Sequence, residues 1–266
     1  MEQLEEWKRV NSAILITKNL TKKFGELVAV DDVSIKVEEK AFAILFGPNG
    51  AGKTTLVNIV TGYLKKDYGE VWFDGKDITK LSAAETYRLG LARSFQIPRI
   101  YPRLTVLENI LMAEENPGES FIKAPLKFLW REAEKEKVKR AFEVLEMIGL
   151  ENQWDRLGGE LSGGDMKLLD VGKALMSNAK MLLIDEPIAG VNPSFSHVIL
   201  ERLREIAKTR GLTILMVEHR LDIALKYVDY AYAMANGRII AEGNPDEVIK
   251  APEVVESYLG ERYKLR

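Results

Sequence analysis

Apolar residues along the chain follow two spacings. Val33-Ser34-Ile35-Lys36-Val37 alternates, and with Ile14-Leu15-Ile16 it makes residues 13–45 read mostly as strand, in an antiparallel sheet with one solvated face. Gly69-Glu70-Val71-Trp72-Phe73 is a further strand ending at the turn Asp74-Gly75. Met181-Leu182-Leu183-Ile184 and Thr213-Ile214-Leu215-Met216-Val217 are instead almost unbroken apolar runs, the pattern of parallel strands buried on both faces. Between them Asn192 is placed to cap a helix, with Pro193 in its first turn and Ile199, Leu203 and Ile206 facing inward. Residues 98–160 carry helical periodicity and no buried-strand pattern, and their charged run Arg131–Arg140 reads as a solvated helix face.

These elements predict an α/β fold: a parallel sheet, an antiparallel β-subdomain, and a helical subdomain at about residues 98–170 inserted in the core, all within one domain over 13–266. Residues 1–12 read as an acidic helical tail with Trp7 as a packing anchor. A length of 266 residues and 46% hydrophobic content suit one large domain with an ordinary core. A net charge of −2 does not favour nucleic acid as the main partner. The absence of cysteine excludes disulfides and thiolate metal sites. The acidic start Met1-Glu2-Gln3-Leu4-Glu5-Glu6 is unlike a signal peptide. No apolar run approaches the roughly 18 to 20 residues of a membrane span, so the chain is expected to be soluble unless a partner holds it at a membrane.

The segment Gly47-Pro48-Asn49-Gly50-Ala51-Gly52-Lys53-Thr54-Thr55 sharpens this picture. It follows the apolar run Ala43-Ile44-Leu45-Phe46 and precedes Leu56, Ile59, Val60 and Tyr63, which share one face at helical spacing. Strand, glycine turn and helix form the context that a phosphate-binding loop requires. Glycines let successive backbone N–H groups turn toward a polyphosphate, and the helix N-terminus adds its positive dipole end. Lys53 can reach β- and γ-phosphates, and the Thr54 hydroxyl can ligate Mg²⁺. The chain is therefore predicted to bind a nucleoside triphosphate.

Two further motifs belong with this loop. The strand Met181–Ile184 runs into Asp185-Glu186, at the carboxyl end where ligands sit in parallel sheets. Asp185 is the natural Mg²⁺ partner of Thr54, and Glu186 can polarise a water for in-line attack. Leu161-Ser162-Gly163-Gly164-Asp165 opens an apolar-periodic helix, with Ser162 and Asp165 matching a capping pattern. Its N-terminus is a second anion site far in sequence from the first. One site seldom needs two from one chain, which suggests two chains meeting head to tail.

In sequence order the phosphate loop, Gln96, the Leu-Ser-Gly-Gly segment, Met181–Pro187 and His219 resemble the ATP-binding cassette (ABC) ATPases, over nearly the whole chain from residue 13. The resemblance implies a phosphate-loop ATPase core binding ATP and Mg²⁺. Phe24 would stack on adenine, and Gly47, Asn49, Gly50, Gly52, Lys53, Thr54 and Thr55 would hold phosphate and metal. Gln96 would contact Mg²⁺ or the attacking water, Asp185 would support the metal, and Glu186 would be general base. His219 would hydrogen-bond the γ-phosphate, while Ser162, Gly163 and Gly164 would meet the nucleotide of the opposite subunit. His197 is expected to be a surface or packing residue. Asp165 in place of the usual Gln, Phe24 for Tyr, Asn192 for Asp and Lys173 for Arg depart from the commonest family pattern.

Arg93-Ser94-Phe95-Gln96, Leu104–Asn109, Ala189–Pro193, Val217-Glu218-His219 and Glu242–Val248 further resemble the ATPase subunits of branched-chain amino acid importers. Urea importers and lipopolysaccharide export ATPases share much of this pattern. The resemblance implies a cytoplasmic subunit, peripheral on the membrane through permease subunits, paired with itself or a related ATPase. Ile97-Pro98-Arg99-Ile100-Tyr101-Pro102 is expected either to offer apolar and aromatic anchors to a partner helix or to pack under the helical subdomain. An ABC ATPase acting on DNA or ribosomes would call for a long coiled coil or a second cassette, and neither pattern occurs. A phosphate-loop kinase is opposed by the Leu-Ser-Gly-Gly segment.

Overall fold

The computed structural model describes residues 13–94, 98–114 and 131–264. Gln96 and the tail 1–12 lie outside the described residues. The chain begins with β1 (Ala13–Phe24), β2 (Leu27–Val33), β3 (Lys36–Glu38) and β4 (Phe42–Phe46). Then come helix α1 (Lys53–Val60), β5 (Tyr68–Phe73), β6 (Lys76–Asp77), α2 (Ala83–Arg88) and β7 (Leu91–Ser94). Helices α3 (Val106–Leu111), α4 (Arg131–Ile148) and α5 (Gly163–Met176) precede β8 (Met181–Asp185). The remainder is α6 (Pro193–Arg210), β9 (Thr213–Val217), α7 (Leu221–Ala224), β10 (Tyr230–Ala235), β11 (Arg238–Gly243), α8 (Pro245–Val248) and α9 (Pro252–Lys264).

The chain divides into two compact units. The first holds the described residues of 1–96, 180–189 and 203–266. In it, β1 pairs antiparallel with β2, β3 and β5, and β5 pairs with β6. The solvated face is real for β3 and the approach to it, where Ser34 and Lys36 are exposed and Val33, Ile35 and Val37 buried. It is absent from the start of β1, where Ile14, Leu15, Ile16 and Thr17 are all buried. The second sheet runs β11-β10-β4-β9-β8-β7, with β10, β4, β9, β8 and β7 parallel and β11 an antiparallel edge. Every residue of β4, β8 and β9 is buried, as their apolar runs require.

The apolar spacing that placed Tyr63 on the face of the phosphate-loop helix overruns the helix. Helix α1 stops at Val60 because Gly62 turns left-handed (φ 73°), where a Cβ would come within 2.8 Å of the Leu81 carbonyl oxygen. Tyr63 is half-exposed beyond it.

The second unit holds the described residues of 97–179 and 190–202. Helices α3, α4 and α5 pack together on Val106, Ile110, Val144, Leu145, Ile148, Leu168 and Leu169. Gly172 permits this close approach, since a Cβ there would lie 2.7 Å from both Ile110 and Ile148. The run 132–136 on α4 is exposed, whereas Lys137 is buried and donates to the Glu114 carbonyl.

Candidate nucleotide-binding site

Parallel strands bring the predicted residues of the first unit to one edge of the sheet. Strand β4 delivers the glycine loop, β8 the pair Asp185-Glu186, and β9 the segment Glu218-His219; β9 lies between the other two. Register pairs Leu45 with Val217 and Val217 with Asp185, so the three chain segments leave the sheet at one level. Ligands bind outside the carboxyl ends of such strands.

The loop's glycines differ in what they do. Gly47 (φ 151°) lies against β10, where a Cβ would meet the Met234 carbonyl oxygen at 1.9 Å. Gly52 (φ 102°) is pressed on Ala29, with its carbonyl oxygen 2.1 Å from the same construction. Gly50 (φ 73°) faces open space: a Cβ would meet no heavy atom within 4 Å. Two glycines therefore seat the loop on the protein, and the third keeps its outer side clear. Helix α1 starts at Lys53 with no side-chain cap and no acidic residue in its first turn. That arrangement leaves the positive end of the helix available to an anion. The Lys53 ammonium, 5% exposed, donates to the carbonyls of Gly47 and Pro48 at 2.8 Å each. Asn49, Gly50 and Thr54 are exposed, and Thr55 is half-buried. Phe24, at the end of β1, is 48% exposed, with the Lys22 ammonium 5.4 Å from its ring centre.

Asp185 and Glu186 face different partners. The Asp185 carboxylate meets the Arg93 guanidinium at 3.3 Å, with the side chains 9% and 7% exposed. Burial pushes the Asp185 carboxyl above its ordinary value, and Arg93 opposes that shift. Glu186 adopts left-handed backbone geometry (φ 52°), and its Oε1 lies 3.1 Å from Nε2 of His219. Among the described residues no group of three or more His, Cys, Asp or Glu could hold a metal ion. A set of one carboxylate and the Thr54 hydroxyl would suit magnesium, which keeps several waters and takes about one or two carboxylates along with substrate phosphates.

Two positioning side chains were missed in the sequence. Glu218, 1% exposed, accepts from the backbone N–H of Ile188 (2.9 Å), His219 (3.0 Å) and Arg220 (3.3 Å). One carboxylate thereby pins the loop after Glu186 to the loop that carries His219. A buried acid immediately before the histidine was the available signal. Asn109, fully buried, donates to the carbonyls of Tyr101 and Thr105 at 3.0 Å each and accepts from Tyr101 N–H at 2.7 Å. It ties Tyr101, in the segment offered in the sequence as a docking surface, to the start of α3; Ile97 of that segment lies outside the described residues.

Ser162, Gly163 and Gly164 belong to the second unit. Ser162 caps α5 by accepting from Asp165 N–H at 3.2 Å, and its hydroxyl donates to the Asp165 carboxylate at 2.7 Å. Gly164 is buried under Phe195, whose ring carbon would lie 2.3 Å from a Cβ. Gly163 faces open space. Asn192 caps α6 as expected, accepting from Phe195 N–H at 2.8 Å. Lys173 donates to the Arg99 carbonyl and lies 5.4 Å from the Tyr101 ring centre. Its ammonium is held below the ordinary lysine value by burial. His197 is half-buried on α6.

The ABC transporter family profile matches residues 30–189. The probable branched-chain amino acid transport ATP-binding protein LivG of Methanocaldococcus jannaschii is 50% identical over 252 residues, covering 93% of this chain and 98% of that protein. The crystal structure of an ATP-binding cassette of an ABC transporter in its ADP conformation superposes with a TM-score of 0.82 at 48% identity, covering 93% of this chain and 99% of that one. A dimeric cassette in a post-hydrolysis state, bound to ADP and Pi, gives a TM-score of 0.71 at 26% identity, covering 87% and 98% of the two chains.

Proposed function

Because the chain belongs to the ABC transporter family and is an ATP-hydrolysing cassette, we propose that it powers a membrane importer of branched-chain amino acids as one half of a nucleotide-sandwich dimer. The observation that carries the mechanism is the glycine loop, the acidic pair and His219 at the ends of three neighbouring parallel strands. The 50% identity with a branched-chain amino acid transport ATP-binding protein supports the solute. No described helix is long and apolar enough to cross a membrane; in this reading the subunit works through separate permease subunits on the cytoplasmic face. Residues 13–266 form the cassette in this reading, with the helical subdomain at about 98–170.

On nucleotide arrival Lys53 exchanges its carbonyl partners for β- and γ-phosphate oxygens, a trade that its position on the loop allows. The N-terminus of α1 and the loop's N–H groups hold the remaining phosphate charge, and Phe24 stacks on the base. Thr54 and Asp185 would hold magnesium, which when bound would supply charge neutralisation at the phosphates. Glu186 takes the proton of a water that attacks the γ-phosphorus in line, with ADP leaving, and His219 orients both carboxylate and phosphate. The partner subunit completes the site with its Ser162 and the glycines that follow. Closure then depends on γ-phosphate and is reversed by hydrolysis.

The test is light scattering of purified Glu186→Gln with ATP, beside hydrolysis by the wild type. A mutant that dimerises only with ATP, beside a hydrolysing wild type, is the expected result. A mutant that stays monomeric and still hydrolyses ATP would remove both the shared site and Glu186 as base.

A further inference from the structure

Arg93 has no role in the mechanism above, yet its side chain is almost wholly buried. It sits on β7, next to β8, and its guanidinium reaches two side chains from different elements. One nitrogen donates to the side-chain Oδ1 of Asn58 on α1; the other meets Asp185 at the end of β8, at 3.3 Å. Its guanidinium carbon also lies 5.7 Å from the Tyr63 ring centre.

Asn58 stands four residues after Thr54 on α1, so the two share a helix face. Arg93 thus spans from the helix that offers the hydroxyl donor to the strand that offers the carboxylate. A lysine would do this less well, because the planar fork presents its donors at fixed separation while an ammonium is a flexible point charge. Both members of the ion pair are nearly excluded from water, with side chains 7% and 9% exposed. A buried pair of this kind is weak evidence for added stability, since apolar replacements of similar volume often do as well. What it does supply is orientation: the bound oxygen of Asp185 cannot rotate away without taking from the buried guanidinium its carboxylate partner.

We propose that Arg93 is a positioning residue that holds the Asp185 carboxylate in register with Thr54, so that a divalent cation carried by the nucleotide finds both donors already placed. The inference rests on the reading of Asp185 as the cation's partner. Groups that orient metal ligands from the outer shell typically change metal affinity by about 10–100-fold when removed. Arg93 is expected to fall in that range.

The experiment is a titration of Mg²⁺ into the full chain with a fluorescent ATP analogue, for wild type, Arg93→Met, Arg93→Lys and Asp185→Asn. Nucleotide binding in EDTA is measured first, then the Mg²⁺ midpoint of the binding signal. Arg93→Met should bind the analogue in EDTA like wild type and show a midpoint raised at least about tenfold. Arg93→Lys, with charge but no fork, should fall between. A midpoint for Arg93→Met within about twofold of wild type, while Asp185→Asn shifts, overturns the positioning role and leaves Asp185 as the cation's partner. Weakened binding of Arg93→Met already in EDTA also overturns it, because a general loosening of the loop would then suffice. An unmoved midpoint for Asp185→Asn removes the underlying reading and the proposal with it. Should Arg93→Met fail to fold by circular dichroism, Arg93→Lys decides: a wild-type midpoint overturns the proposal.

Discussion

His219 Nε2 lies 3.1 Å from Oε1 of Glu186. The two residues come from the ends of different strands, β9 and β8, and Glu186 reaches this position through a left-handed backbone (φ 52°) that non-glycine residues rarely adopt. Such strain costs about 1–3 kcal/mol and persists only where the surroundings enforce it. Here the enforcement includes the Glu186 N–H, which donates to the Val217 carbonyl at 2.9 Å. If the pair acts as one unit, the effects of removing its members should not multiply. Glu186→Gln should lower the hydrolysis rate by about 10²–10⁴-fold with ATP binding retained, and adding His219→Ala should lower it little further. Single-turnover rates for both singles and the double give the answer, and multiplicative losses would show the contact to be incidental.

Glu218 offers a second test, this time of loop fixation. Its carboxylate serves three backbone donors from two loops. Leaving a buried N–H without an acceptor costs about 1–3 kcal/mol. Glu218→Ala should therefore destabilise by about 3 kcal/mol or more in denaturant unfolding, whereas Glu218→Gln, which keeps one acceptor oxygen, should cost less than half as much. Hydrolysis by Glu218→Gln should fall with ATP affinity unchanged, because His219 is the group set loose. Equal stability of the alanine variant and wild type would show that Glu218 clamps nothing.

The loop glycines separate stability from binding. Gly47→Ala puts a methyl 1.9 Å from the Met234 carbonyl oxygen, and strand β10 cannot yield without losing its pairing to β4. Its cost should exceed the ~3 kcal/mol that bounds most substitutions. Gly50→Ala meets no protein atom within 4 Å and carries only the left-handed penalty of about 1–2 kcal/mol. Its methyl instead enters the space proposed for phosphate, so ATP affinity should drop by about tenfold or more, about 1.4 kcal/mol. Thermal unfolding and equilibrium binding on the two variants would show the split. A Gly50→Ala protein that binds ATP as wild type does would move the phosphate elsewhere.

Local spacing made the loop, the acidic pair, the serine cap and the buried strands legible in the sequence. Each is a short pattern whose meaning is set within a few residues, as with Asn192 capping Phe195. What escaped depends on partners far along the chain. Arg93 meets Asp185 across 92 positions, and Glu218 meets Ile188 across 30, so no window reveals either pairing. Strand β7 spans only Leu91–Ser94 and is too short to show a period. Strands β10 and β11 were signalled, by an apolar run and the turn Asn236-Gly237, but the signal sits in a tail read by motif rather than by pattern.

Asp165 gives the last test, because its two effects carry opposite signs. The Ser162 hydroxyl donates to its carboxylate at 2.7 Å, and its N–H donates back to the same hydroxyl. The acid thus completes the cap of α5 and favours the helix dipole, worth about 0.3–1 kcal/mol. The same arrangement occupies the hydroxyl proton that a partner's γ-phosphate would need, and it adds a negative charge beside that phosphate. Two like charges at about 4 Å repel by about 1 kcal/mol in water and about 4 kcal/mol at the dielectric typical of a protein surface. Asp165→Gln should therefore lower the melting temperature of the monomer slightly. In the Glu186→Gln background the same change should tighten ATP-dependent dimerisation by about tenfold, 1.4 kcal/mol. The advantage should shrink as salt rises, since exposed charges are screened over about 8 Å at physiological ionic strength. Analytical ultracentrifugation across a salt series measures both the gain and its decline. A dimer no tighter with glutamine than with aspartate would mean that the cap keeps the carboxylate clear of the partner's nucleotide.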